Sequence, residues 1–294
     1  GAKLGRLENE GTIQARVFSE NENSAIALDI GAGADVETIT NTGIIRANIV
    51  GDEGKAIAVL DSAGDLSTFV NQGSIHAYAT DDDNDNVEDE DTHPEFVGET
   101  IAIDASSHGA DSGLTVVQSG SIASITGDVL FGAGDDVFDI QSGSVSGGTD
   151  FGVGHADMSI NNAFYDGVIT FGGETANLSI TGADVSGVID LGGALARVHF
   201  LDNSVFEGRL IADAPLSDLV VSGSKLTLLD DVNVHLESLT ISDNSTLGVS
   251  IASDQDATTP IFDVAGAAVL GSDTVIAPQL TSVLPEGTSK LIIE

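Results

Sequence analysis

The sequence predicts an all-β fold, a parallel β-solenoid, on three observations. A short motif recurs along the chain, its glycine returns at solenoid-like spacings, and apolar residues alternate between the copies. The motif first appears as Leu7-Glu8-Asn9-Glu10-Gly11-Thr12-Ile13. It returns as Ile39-Thr40-Asn41-Thr42-Gly43-Ile44-Ile45 and as Phe69-Val70-Asn71-Gln72-Gly73-Ser74-Ile75. Looser copies follow at Val116-Val117-Gln118-Ser119-Gly120-Ser121-Ile122 and Asp139-Ile140-Gln141-Ser142-Gly143-Ser144-Val145. Later copies keep only a glycine before an apolar pair, as at Gly167-Val168-Ile169 and Gly187-Val188-Ile189, or an equivalent such as Gly208-Arg209-Leu210. Self-similar copies at a fixed period are the mark of stacked repeat folds.

The glycine spacings set the coil. They run 32 residues from Gly11 to Gly43, 30 to Gly73 and 47 to Gly120, then 23, 24, 20 and 21 to Gly143, Gly167, Gly187 and Gly208. A period near 20–24 residues suits one coil of short strands and tight turns. The 30–32-residue copies read as the same coil with a longer loop. The 47-residue gap reads as such a coil plus roughly 15 further residues. At a strand spacing of ~4.8 Å, about ten coils make a rod about 50 Å long.

Ala25-Ile26-Ala27-Leu28, Ala56-Ile57-Ala58-Val59-Leu60 and Ile101-Ala102-Ile103 read as strands with one face inward. Asn and Gly sit between strands, where positive φ is needed and both tolerate it. Asn9, Asn41 and Asn71 either stack as an internal ladder of amide hydrogen bonds or each serve their own turn. The competing architecture is an antiparallel sandwich with glycine turns, which gives turns every 8–12 residues but no reason for self-similar copies. The stack is expected to occupy residues 1–225, with an acidic loop insertion at 80–98. Residues 226–294 hold closer, less glycine-rich runs such as Leu226-Thr227-Leu228-Leu229 and Leu239-Thr240-Ile241, and read as terminal coils with a β-rich cap or junction.

Composition narrows function. The chain has 47 acidic and 9 basic residues among 294, a formal charge of −38, so partners do not include nucleic acid, whose phosphates need clustered Lys and Arg. A bare anionic membrane is disfavoured for the same reason. The apolar fraction of 41% speaks against a disordered chain. Cysteine is absent, which removes disulfides and thiolate metal sites. No run of 18 apolar residues marks a membrane-spanning helix. The chain opens at Gly1 without an initiator Met or a signal peptide, and so reads as a piece of a longer product.

The Asn-x-Gly-x-Ile copies, the stretch Gly127 to Asp136 and the end Leu284-Pro285-Glu286-Gly287-Thr288-Ser289-Lys290-Leu291-Ile292-Ile293 resemble autotransporter passenger domains of Gram-negative bacteria. The resemblance is one of pattern and covers nearly the whole chain outside the acidic insert. It implies a single-stranded right-handed parallel β-helix exported across the outer membrane by a C-terminal β-barrel of the precursor. It also implies a cell-surface or extracellular location. The chain departs from that layout in carrying no barrel. The absence of cysteine suits such export independently, because a disulfide would obstruct an unfolded chain.

Candidates for chemistry are few. Asp81 to Glu95 holds nine carboxylates in fifteen residues. Its Asp81-x-Asp83-x-Asp85 spacing, with Asp89 further on, resembles the start of a helix-flanked calcium loop. Asn86 and Thr92 stand where that loop needs Gly and Glu, and no helices flank it, so it is no EF-hand. The segment reads either as a looser calcium site or as a solvated acidic protrusion. Gly132-Ala133-Gly134-Asp135-Asp136-Val137-Phe138 resembles one unit of the glycine-aspartate calcium repeat, and Gly31-Ala32-Gly33-Ala34-Asp35 is a poorer copy. Such repeats hold ions between tandem copies, so these isolated ones read rather as turns. Calcium is thus a candidate ion at Asp81, Asp83, Asp85, Asp89, Asp135 and Asp136, and no cofactor is required.

No catalytic pattern emerges. The arginines Arg6, Arg16, Arg46, Arg197 and Arg209 are scattered. The histidines His76, His93, His108, His155, His199 and His235 show no metal-binding spacing. No Gly-x-Ser-x-Gly elbow occurs. The expectation is a non-enzymatic surface or secreted structural protein that meets surface glycans or proteins through its sides and loops. The alternative is a calcium-dependent surface-layer or fibre subunit built from copies of itself. A polysaccharide-cleaving β-helix is the third reading.

Overall fold

The computed structural model describes residues 3–18, 23–51, 53–80, 97–229, 233–251, 258–280 and 290–294. Among them there is no helix, hence none long and apolar enough to cross a membrane. Every strand pairing within the units described below is parallel. The chain is a parallel β-helix. It divides into two compact units, Gly1–Asp136 with Gly143–Asp150, and Val137–Ser142 with Phe151–Glu294.

The first unit winds with three strands per coil. Its opening coil is β1 (Lys3–Asn9), β2 (Thr12–Phe18) and β3 (Ser24–Ile30). The next is β4 (Asp35–Asn41), β5 (Ile44–Val50) and β6 (Glu53–Asp61), followed by β7 (Thr68–Asn71), β8 (Ser74–Thr80) and β9 (Val97–Asp104). Then come β10 (Thr115–Gln118), β11 (Ser124–Thr126) and β12 (Asp128–Leu130), and, after β13 (Asp136–Ile140), which belongs to the second unit from Val137 on, β14 (Gly143–Ser146) and β15 (Thr149–Asp150). Three parallel stacks result: β1-β4-β7-β10, β2-β5-β8-β11-β14 and β3-β6-β9-β12-β15. The extra length of the 30–32-residue copies is therefore a third strand and not a longer loop. The alternating small and branched residues of β3, β6 and β9 bury Ala25, Ala56, Ala58, Ala102 and Ile103, and that burial extends the coil.

The second unit winds with two strands per coil. Its strands are β16 (His155–Asn161), β17 (Ala163–Thr170), β18 (Thr175–Thr181), β19 (Asp184–Asp190), β20 (Leu195–Leu201) and β21 (Val205–Ile211). They continue as β22 (Asp218–Ser222), β23 (Lys225–Leu228), β24 (Val234–Ser242), β25 (Thr246–Ile251), β26 (Phe262–Leu270) and β27 (Val275–Leu280). Even-numbered strands from β16 to β26 form one parallel stack, and odd-numbered strands from β17 to β27 the other. Pairing runs unbroken past residue 225, where the sequence suggests a change of character. Lys225–Leu228 pairs with β21 before it and β25 after it.

The core is built of columns. In the first unit Ile13, Ile45, Ile75, Ile125 and Val145 stack in register. In the second, Ile160, Ile180, Phe200, Val221 and Ile241 do so, and Tyr165, Val185, Phe206, Leu226 and Leu247 line the facing stack. Each such buried side chain contributes roughly 1.5–3 kcal/mol. The rings of Phe151 and Phe171 stack at 4.9 Å and 4°.

Coils approach closely at glycine columns. A Cβ on Gly43 would lie 2.1 Å from the Gly11 carbonyl oxygen, and one on Gly187 would lie 1.9 Å from that of Gly167. Gly187 also has φ +124°, a value that side-chain-bearing residues rarely adopt. The recurring glycine of the sequence motif is thus a steric requirement of stacking.

Candidate functional site

Polar side chains occur inside both units at the turn that follows the first strand of each coil. In the first unit they form an amide ladder. Asn9 Nδ2 donates to Asn41 Oδ1 at 2.7 Å, Asn41 Nδ2 to Asn71 Oδ1 at 2.9 Å, and Asn71 Nδ2 to Gln118 Oε1 at 3.1 Å. The second N–H of each donates to the backbone of the following coil, at the Ile44, Ser74, Ser124 and Ser144 carbonyls. Of the two arrangements open to the sequence, the ladder is the one adopted, and Gln118 extends it. Each Asn also serves its turn: Asn9 Oδ1 and Asn71 Oδ1 accept the Gly11 and Gly73 amides.

A second buried polar group in the first unit involves residues that sequence reasoning left without a role. Asp61, at the end of β6, accepts the amides of Ala63 and Gly64 on Oδ1 and that of Leu66 on Oδ2. His108, from the connection between β9 and β10, pairs its Nε2 with Asp61 Oδ2 at 2.7 Å. Its Nδ1 lies 3.3 Å from the Ser112 carbonyl oxygen. Burial alone would lower the His108 pKa, but the bond and charge of Asp61, with Ser112 and Asp136, hold it above the ordinary value. Burial alone would raise Asp61, but His108 and the Leu66 and Gly64 amides hold it below the usual carboxylate range.

Asp136, a predicted calcium ligand, lies in this neighbourhood. Its side chain is buried, and Oδ1 accepts the Leu114 amide at 2.7 Å while Oδ2 has no hydrogen-bond partner. Burial pushes its pKa up to about 6, against the Leu114 amide and the charge of His108. Calcium needs roughly six to eight oxygen ligands. Among the described residues no group of three His, Asp or Glu side chains converges to hold a metal. Ala133, between the glycines, donates to the His108 carbonyl of the preceding coil at 2.9 Å, and in the poorer copy Ala34 closes a turn by donating to the Gly31 carbonyl at 3.0 Å. Asp81, Asp83, Asp85 and Asp89 lie outside the described residues.

The second unit presents two outer grooves. One, of about 250 Å³, crosses β16, β18 and β20 and is lined by Asp157, Ser159, Asn177, Ser179, Arg197 and His199. Its polar groups interlock along the stack: Asn177 donates to Asp157 at 2.7 Å, Ser159 donates to Asp139, and His199 Nε2 pairs with Asp218 Oδ2 at 3.0 Å. The other groove, of about 650 Å³, crosses β17, β19 and β21 along the Gly167-Gly187-Gly208 column. Phe164, Val188 and Leu229 give it an apolar lining, and Asp184, Ser186, Glu207 and Arg209 supply polar groups. Phe164 is 52% exposed and Leu229 43%. A concave, largely apolar surface with a few convergent polar groups is the usual form of a binding site. No known family, curated protein or solved structure matches the chain.

Proposed function

We propose that the chain is a non-enzymatic structural protein of the bacterial cell surface or its secreted products. In this reading it is an autotransporter-like passenger that displays an adhesive face to surface glycans or proteins. The observation that carries the reading is the outer groove over the Gly167-Gly187-Gly208 column. There the stack leaves Phe164 and Leu229 exposed instead of buried in the core. Exposed apolar residues gathered in one concavity, within a chain of charge −38, mark a contact surface rather than packing surplus. Parallel strands whose backbone is paired on both sides give that face rigidity, so binding orders little.

The test is display. The chain is fused to an outer-membrane barrel on bacteria that lack other adhesins, and attachment to plastic and to mucin-coated surfaces is counted. Attachment well above that of barrel-only cells is expected, falling at least fivefold in the double variant Phe164→Asp, Leu229→Asp. Equal attachment by barrel-only cells overturns the reading, and shortening of pectin or alginate by the purified chain replaces it with the enzymatic one.

A specific feature favours a second reading, self-assembly. Strands β26 and β27 leave Val269, Leu270, Val275, Ile276 and Leu280 exposed, and Ile292 to Glu294 run beside the start of β26 as a further strand would. Exposed apolar strands are a template for another coil, which in this reading a second copy of the chain supplies. Light scattering of the purified chain in chelator and in millimolar calcium separates the two readings. Monomers in both conditions leave display, and growing filaments or sheets make assembly the function.

A further inference from the structure

We propose that His108 is a charged lock, an imidazolium that fastens the connection between β9 and β10 to the turn of the preceding coil and releases it when the ring loses its proton.

The geometry requires the charge. Both ring nitrogens face atoms that only accept: Nε2 meets the Asp61 carboxylate at 2.7 Å, and Nδ1 meets the Ser112 carbonyl at 3.3 Å. A neutral imidazole has one N–H, and so would turn a lone pair toward one of the two oxygens. The His108 side chain is 0% exposed and that of Asp61 1%, so the ring itself lies away from solvent. An unmatched polar contact at such depth costs much more than the same contact in solvent. The charged groups that face the ring are Asp61 from the end of β6 and Asp136 from the start of β13, with Asp135 adjacent to Asp136. All are acidic, and Asp61 and Asp136 favour the protonated ring.

The ring stands where three successive turns meet. Below it, Asp61 organises residues 61–66 by accepting the Ala63, Gly64 and Leu66 amides. At its own level the 105–114 connection is braced by the His108 amide donating to Ala105 and the Ser112 amide donating to Gly109. Above it, Ala133 donates to the His108 carbonyl, and a Cβ on Gly132 would lie 2.6 Å from the His108 Cβ. The ring proton therefore joins the 61–66 turn to the 105–114 connection, while the main chain of His108 carries the turn above, and none of the three has much secondary structure of its own. Since the folded-state pKa is raised, the contribution of the lock is complete below the ordinary histidine value of 6.5 and fades as pH climbs through the higher folded value. At the acid end it persists until Asp61 takes up a proton, below the usual carboxylate range.

The experiment uses the whole chain, labelled at histidine. NMR follows each ring from pH 5 to 10, and limited digestion with a broad-specificity protease active over that range maps cleavage in residues 105–114. His108 is expected to titrate above 6.5 while His76, lowered by burial and by Arg46, titrates below it. Cleavage within 105–114, relative to cleavage elsewhere, is expected to rise at least tenfold across the His108 titration. Asp61→Asn keeps the shape and removes the charge, and should move both midpoints down together. A His108 midpoint at or below 6.5, or cleavage that ignores the midpoint, overturns the proposal. Should Asp61→Asn fail to fold, the two wild-type curves still decide.

Discussion

The two units fill the same structural position with different chemistry. In the first, the turn after the leading strand carries Asn9, Asn41, Asn71 and Gln118, whose amides bond to one another from coil to coil. In the second, the corresponding inward polar groups are Ser204, Ser224 and Ser245. There the Ser204 amide donates to Ser224 Oγ at 3.2 Å and the Ser224 amide to Ser245 Oγ at 3.3 Å. Their hydroxyls donate to nearby carbonyls, at Ile180, Ser222 and Val221. A carboxamide bonds to the carboxamide of the next coil and satisfies a backbone carbonyl as well, whereas the serine hydroxyls link coils only through backbone amides and carbonyls. The second unit makes up the difference in backbone conformation. Gly182, Asp202, Asn203, Gly223, Asp243 and Asn244 all adopt positive φ at these corners, a conformation that Gly, Asn and Asp tolerate best. The wide coil is thus tied by a side-chain ladder, and the narrow coil by side-chain to backbone bonds together with turn geometry.

The sharpest way to break the comparison is to attack the narrow coil where only backbone fits. Gly187→Ala places a methyl 1.9 Å from the Gly167 oxygen at φ +124°, with Gly208 stacked on the other side. A loss of about 4 kcal/mol or more is expected in urea unfolding. Gly193→Ala, an exposed turn position with open space around it, is the control and should change stability by no more than about 1 kcal/mol.

The next effect separates the two ladders directly. Asn71→Ala removes the acceptor of Asn41 and the donor to Gln118 inside a dry interior, and should cost about 3 kcal/mol. Ser224→Ala removes one hydroxyl whose neighbours keep other partners, and should cost about 1 kcal/mol. Equal losses in thermal or urea unfolding would show that the serine steps carry the same weight as the amide ladder.

These contrasts bear on what can be read from a sequence. The amide ladder was legible because Asn-x-Gly recurs with both residues kept, and the glycine recurs for a steric reason that any coil would share. Gln118 was less so, because a longer amide reaches the same neighbour from a different residue type. The serine steps were hidden, since Ser204, Ser224 and Ser245 look like any polar turn residues until register stacks them. The third strand of the wide coils was partly visible in Ala25 to Leu28 and Ala56 to Leu60, yet spacing alone made it a loop. His108 left no local signal. Its partner Asp61 lies 47 residues away, so only the stacking of coils joins them. The outer groove over the glycine column was equally hidden, because it arises from registration of Phe164, Val188 and Leu229 across different coils.

The smallest expected effect is the most specific in its pH dependence. The run Phe131-Gly132-x-Gly134-x-Asp136 aligns with Phe151-Gly152-x-Gly154-x-Ala156, and the following copies place Ala176 and Ala196 at the same point. The second unit thus keeps a buried alanine where the first buries a carboxylate with an unpartnered oxygen. Asp136 has a folded pKa near 6 against an ordinary value of 3.8, so the folded chain holds an extra proton between those values. Its contribution to stability therefore falls as pH rises through that window, and the full penalty is present above it. Asp136→Asn keeps the acceptor for the Leu114 amide and removes the charge. It should be more stable than the parent chain by about 1 kcal/mol at pH 8, a gain smaller than the shift alone implies because the asparagine Nδ2 would take the place of Oδ2, which has no hydrogen-bond partner. The gain should shrink steadily on acidification and vanish only well below pH 3.8, where Asp136 is neutral in both folded and unfolded chains. A gain independent of pH in a urea series would mean that the amide improves packing, and that the buried carboxylate carries no electrostatic cost.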